Sequence, residues 1–234
     1  MLFFPGKASR RFASVNLRTT NNKTMKKTNT ALTLMLAVTL AAPALAQQTS
    51  AQTNVGNLSM EDLRQKNQKG SEAVAAVKAT NAPLSDADKA LMMEVAKGGM
   101  MQLEVSRLAS GKTTNDAVRM YAQAEVDEQT GLSAKLGEIA AAKGITLPTT
   151  PDADTQSMLS RMQAMSGADF DRMYVQESGV NGHMKLDAVM TQVQKNAKDK
   201  SLKDLAKAAH PLVKTHLKAA QDMMRTMSNG TNGR

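Results

Sequence analysis

Two histidines, His183 and His216, are the residues of this chain best placed to do chemistry. Val180, Leu186 and Met190 surround His183 at helical spacing, and Leu212, Val213, Ala220 and Met223 surround His216, so both imidazoles point toward a helical core. A core imidazole either pairs with another polar group or binds a metal. If the two helices meet in a hairpin at residues 198–200, His183 lies fourteen residues before Ala197 and His216 fifteen after Ser201. The two then sit at nearly equal depth, because one residue of mismatch is only about 1.5 Å of helical rise.

Carboxylates are the partners such imidazoles need for a metal site. Glu128 falls in mid-helix, as the histidines do. Glu104 lies six residues from the turn between its helix and the next, against fourteen for Glu128, a difference of roughly 12 Å of depth. The candidate metal ligands are therefore His183, His216 and Glu128. Glu104 is the weakest member of the set and is better matched to Arg107, Lys112 or Arg119 at the end of the bundle. The cofactor these residues allow is a transition metal. An ordinary di-iron centre needs Glu three residues before each histidine, and this chain has Val180 and Val213 there, which argues against a ferroxidase. A di-metal redox enzyme is accordingly the last of the functional readings.

Methionine is abundant: 15 of the 18 lie after Ala46. Thioether and imidazole together suit copper. The plainer reading is that methionine fills core space in place of leucine, and it is favoured because the methionines recur at core spacing without a dense Met-x-x-Met cluster. No nucleophile, base and acid fall into a catalytic pattern, so no catalytic residue is assigned. Gly98-Gly99 lies inside a helix and favours close packing rather than phosphate binding.

The elements that position these residues follow from periodicity. Met92, Ala96, Met100 and Leu103 mark a first long helix over about 86–110, with Ser85 and Asp88 at its start. Val118, Tyr121, Leu132, Leu136 and Ile139 mark a second over about 115–143, capped by Thr114 and ended by Gly144. A shorter helix over 152–165 follows a proline-broken connection. A third long helix spans about 168–197, and a fourth about 201–227, which Pro211 should kink. Four amphipathic helices, two short turns and one longer connection specify an all-α four-helix bundle of the ferritin-like kind, with a short extra helix in the crossover; an up-down bundle is the alternative. Lys203, Lys207, Lys214 and Lys218 form a solvated face.

Residues 25–46, MKKTNTALTLMLAVTLAAPALA, have the charged start, apolar middle and Ala44-Leu45-Ala46 cleavage site of a secretory signal. The apolar stretch ends at Pro43, short of the roughly 20 residues a spanning helix needs. Residues 1–24 are expected to be a mis-called start or an extended charged region. Removing residues 1–46 takes away seven basic residues and no acidic ones, which lowers the formal net charge from +9 to +2. Nucleic acid is thereby an unexpected partner. The chain has no cysteine, so neither disulfides nor a thiol-linked lipid anchor is expected. Residues 47–82 are read as a polar leader with a marginal helix after Ser59, residues 83–228 as the bundle domain, and 229–234 as a flexible tail.

In order and spacing, several segments resemble one bacterial family. They are Lys97-Gly98-Gly99-Met100-Met101-Gln102-Leu103-Glu104, Val118 to Asp127, Ser166 to Asp171 with Tyr174 and His183, and Pro211 with His216-Leu217. The resemblance is to the family catalogued as domain of unknown function 4142, over roughly residues 84–227, and it implies a secreted, ferritin-like bundle of no established activity. The family pattern has Asp-His where this chain has Asp127-Glu128, replacing an imidazole by a carboxylate that can still coordinate a metal. The leading functional reading is an exported periplasmic or outer-membrane-associated bundle acting as a non-enzymatic binding or envelope-stress protein. The alternative is a metal-binding protein, for copper or another transition metal, using the core histidines.

Overall fold

The computed structural model describes residues 54–231; the expected signal segment and the residues before it lie outside that range. Apart from one small hairpin and the connections, the described chain is helical. The elements are β1 (Asn54–Val55), β2 (Leu58–Ser59), α1 (Met60–Ala75), α2 (Asp86–Lys112), α3 (Asp116–Ala142), α4 (Ala153–Ala164), α5 (Gly167–Tyr174), a π-helical segment (Val175–Gly182), α6 (His183–Asn196) and α7 (Lys200–Thr231). No described helix is long and apolar enough to cross a membrane.

Helix starts are set by local hydrogen bonds. Ser85 caps α2 by accepting from the Asp88 amide at 3.1 Å, as its spacing predicts. The cap of α3 is Asn115, which accepts from the Val118 amide at 3.2 Å, and not Thr114. An amide side chain one residue on serves the same orphan N–H group. The third long helix of the sequence reading is α5, the π-helical segment and α6 in succession. Pro211 stands inside α7, which continues through it to Thr231, into the tail expected to be flexible.

Helix α2 packs antiparallel on α3, and α6 on α7, while α2 against α6 and α3 against α7 close the four-sided bundle. Helix α4 lies in the long connection. Lys143, at the end of α3, is buried in an ion pair with Asp199 at 2.6 Å and donates to the Thr80 carbonyl at 2.9 Å. It ties the end of α3 and the chain before α2 to the start of α7.

The stretch before α2 departs from expectation. Within the expected polar leader, Asn54 pairs with Ser59 and Val55 with Leu58 in a hairpin. Val55 is fully buried, and Gly56 turns with φ +62° against the Ala219 carbonyl, a conformation open to glycine without strain. The marginal helix is formed as α1, which packs on α3 and α7 through Leu63, Asn67 and Val74. Gly70 weakens α1 by propensity, yet a Cβ there would overlap the Leu212 side chain. The glycine is what lets α1 lie on α7. Gly70→Ala is therefore expected to destabilise the protein by about 1–3 kcal/mol through overpacking, despite alanine's better helix propensity. A denaturant melt checks this, and a gain in stability would show that α1 is not docked in solution.

Candidate functional site

The core of the bundle is split. One apolar cluster gathers Met92, Leu136, Leu186, Met190 and Leu205; the other gathers Val105, Val118, Tyr121, Phe170 and Tyr174. Helices α1, α2, α3 and α7 cross from one cluster to the other, the π-helical segment ends at one and α6 begins the other, and at the level between them stand polar residues: Asn67 of α1, Gln102 of α2, Glu125, Glu128 and Gln129 of α3, Ser178 of the π-helical segment, His183 at the start of α6, and His216 of α7. All are buried. A polar layer so placed gives up apolar burial worth about 25 cal/mol per Å², so it needs a reason other than stability.

His183 and His216 face each other at that level, with ring centroids 5.8 Å apart and planes 24° from parallel. The equal depth counted from the turn is what the structure contains. Between them stands Glu125. Its Oε1 lies 2.9 Å from His183 Nε2 and in direct contact with His216 Nδ1. One donor atom from each of the three residues lies within 4.8 Å of the others. Glu128 Oε2 is 3.3 Å from His216 Nε2, on the other edge of the ring, but makes no hydrogen bond; nor does Glu125 Oε2.

The structure therefore brings together three of the four candidate ligands and leaves one out. Glu104 lies at the bundle surface, where its Oε1 accepts from Arg107 at 2.7 Å, as its depth implied. Glu125, which the sequence reading passed over, takes the central position. A signal for it was present. Positions 118, 121, 125, 128, 132, 136 and 139 follow one inward stripe of α3, and glutamates occupy its third and fourth places. Asn67 and Gln102 were also passed over, Asn67 because its helix was judged marginal.

The surroundings fix the rings. Asn67 Oδ1 lies 2.6 Å from His216 Nε2, and Asn67 Nδ2 donates to the Ala124 carbonyl at 2.7 Å. Gln102 Nε2 lies 2.7 Å from His183 Nδ1 and 3.0 Å from the Ser178 carbonyl, which is itself 3.1 Å from that same ring nitrogen. Ser178 reaches both partners because it belongs to the π-helical segment. Such a wider turn shifts the residues that follow relative to a regular helix, and such segments are frequent at functional sites. The Tyr121 ring packs 5.6 Å from His216, and its hydroxyl donates to the His216 carbonyl.

Burial opposes charge throughout this layer, but the groups offset it unequally. Burial opposes ionisation of Glu125, yet the two imidazoles outweigh it and hold its carboxyl well below the usual carboxylate range. Burial raises Glu128 to about 7; His216 lowers it in part, and Glu125 adds to the rise. For the imidazoles, burial lowers the pKa, but Glu125 outweighs it and raises His183, while Glu125 and Glu128 together raise His216 to about 9. At neutral pH the metal-free layer thus holds imidazolium against carboxylate.

These shifts give the metal-free protein a pH optimum by linkage. Glu125, depressed, contributes stability present above its ordinary 4.5 and lost as pH falls. The histidines, raised, contribute stability fully present below their ordinary 6.5 and lost as pH rises through their folded values, about 9 for His216. Glu128, raised from 4.5 to about 7, adds a loss that begins above 4.5 and is complete past about 7, which weights the optimum toward its acid end. The thermal midpoint in chelator is expected to peak between about pH 4.5 and 6.5, the two reference values, and to decline toward pH 9. Calorimetry across that range checks it; a midpoint flat from pH 5 to 9 would contradict the ion network.

Fold and site together define an all-helical bundle with a buried carboxylate and imidazole centre. The family model described as Domain of unknown function (DUF4142) matches residues 71–223, and the chain belongs to that family. Nothing among the curated proteins or the solved structures matches it.

Proposed function

We propose that this protein is an exported, non-enzymatic metal-binding bundle of the ferritin-like type, its fourth long helix bent at Pro211, and that Glu125, His183 and His216 hold one divalent first-row ion in its core. The observation that carries this reading is Glu125: one oxygen touches both imidazoles, the other is buried without a hydrogen bond. A buried polar atom left unpaired costs about 1–3 kcal/mol, and coordination of an ion would satisfy it.

Charge supports a divalent ion. With both imidazoles neutral, Glu125 and Glu128 carry two negative charges that balance M²⁺ in a site shielded from water. In the metal-free protein the His216 imidazolium proton fills part of the same electrical role, so binding exchanges a proton for the ion. Two imidazoles and a carboxylate suit Zn²⁺, Fe²⁺ or Cu²⁺ better than Cu⁺, which prefers thiolate or thioether. Glu125, His183 and His216 have no exposed surface. A closed site of this kind holds a metal without admitting a substrate, which favours binding over catalysis. The signal-like segment 25–46 supports a periplasmic or secreted location.

The test is metal analysis of the exported chain, followed by removal with chelator and titration with Zn²⁺, Fe²⁺ and Cu²⁺. One ion per chain is expected, with stability rising by about 2.7 kcal/mol at a hundredfold excess over Kd. No stoichiometric metal and an unmoved melting curve would overturn the proposal.

A further inference from the structure

Helix α1 supplies the polar layer with a single side chain, Asn67, from just ahead of the family-matched residues 71–223. Its hydrogen bonds leave little freedom. The Ala124 carbonyl can only accept, so the atom 2.7 Å from it must be the Asn67 NH₂ group. The oxygen of the amide therefore faces His216 Nε2, 2.6 Å away. An amide oxygen also only accepts, so Nε2 must carry the ring proton. A neutral imidazole has one such proton, and Nδ1, the atom turned to Glu125, is then left with a free lone pair. The chain of forced roles starts at a backbone carbonyl and ends at a ligand atom.

His183 has no equivalent constraint. Its Nδ1 meets both the Gln102 NH₂ group, which the Ser178 carbonyl fixes in orientation, and that same carbonyl. A donor and an acceptor thus compete for His183 Nδ1 and leave its role open, whereas that of His216 Nε2 is set in advance.

We infer that Asn67 is a positioning residue of the core site: it holds the His216 proton on Nε2, offers Nδ1 to the ion, and so links the docking of α1 to occupancy of the site. This rests on the metal reading above. The link runs in both directions, since an element that favours the bound state is itself favoured by binding. Leu63 and Val74 on either side of Asn67 are buried, so α1 is held by apolar contacts when the site is empty and gains protection when it fills.

The test uses the full chain with Zn²⁺ as the probe. Long-range ¹H–¹⁵N spectra of the zinc-loaded wild type are expected to show His216 protonated on Nε2 and bound through Nδ1. Hydrogen exchange across residues 60–75 is expected to slow when zinc is added. In Asn67→Leu, of similar volume, zinc affinity is expected to fall about 10–100-fold, the usual effect of losing a partner that orients a ligating histidine, and the zinc-induced protection of α1 is expected to vanish. A zinc-loaded wild type with His216 bound through Nε2 would overturn the inference, as would an Asn67→Leu variant with zinc affinity within threefold of wild type. Should that variant fail to fold, the wild-type spectra alone decide. A wild type that takes up no zinc, iron or copper overturns the metal reading and this one with it.

Discussion

Replacing Glu125 by glutamine is expected to destabilise the metal-free protein by about 3–5 kcal/mol, the usual cost of removing one partner from a buried ion pair. For a chain of this size that lowers the melting midpoint by roughly 10 °C. Glutamine keeps the shape and removes only the charge, so the loss is electrostatic. Two buried imidazoles, raised by the Glu125 carboxylate, would lose the group both of them touch. Each must then either stay charged without its counter-ion or give up its proton. Neutral imidazoles would flatten the alkaline side of the stability profile, so the variant should lose less than wild type does between pH 6.5, the ordinary histidine value, and pH 9. Metal uptake should fail as well. A variant as stable as wild type at pH 6 would show that Glu125 does not balance the histidines.

Converting the layer to apolar residues is expected to act in the opposite direction. With Asn67, Gln102, Glu125, Glu128, Gln129, His183 and His216 all changed to leucine or methionine and Ser178 to alanine, the two apolar clusters would become one continuous core. Replacement of a buried ionic group by well-packed apolar side chains is often neutral or stabilising by about 1–4 kcal/mol, because desolvation of the charges is no longer required. The expected result is a folded, metal-free bundle at least as stable as wild type. Removing every member together is essential, since a half-removed network leaves unpaired atoms that cost about 1–3 kcal/mol each. A protein that loses its unique fold would instead show that the layer sets the register of the helices. The contrast with Glu125→Gln separates the two roles: one carboxylate matters greatly while its partners remain, and the whole layer is dispensable to stability when it leaves as a unit.

Much of this was legible from the sequence because it is local. Apolar residues at three- and four-residue spacing gave helices that lie within a few residues of α2, α3 and α7. The equal depth of His183 and His216 was legible for a related reason: both are counted from one short turn, and helical rise per residue is fixed. The same counting removed Glu104. It did not single out Glu125, which shares its face of α3 with Glu128. Nor did periodicity reveal the π-helical segment, whose backbone hydrogen bonds span one residue more than those of an α-helix without a distinct pattern of side chains.

What the sequence by itself determined is the set of helices, their order, and the level at which the two imidazoles meet, since each depends on neighbours along the chain. The tertiary structure alone decided that Glu125 completes the pair, that Glu128 stands on the far edge of His216, and that α1, poor in large apolar residues, docks and brings Asn67 to Nε2. Those choices depend on how helices distant in sequence are rotated and seated against one another. A difference of about 100° between successive helical residues is enough to turn a carboxylate from solvent into the core.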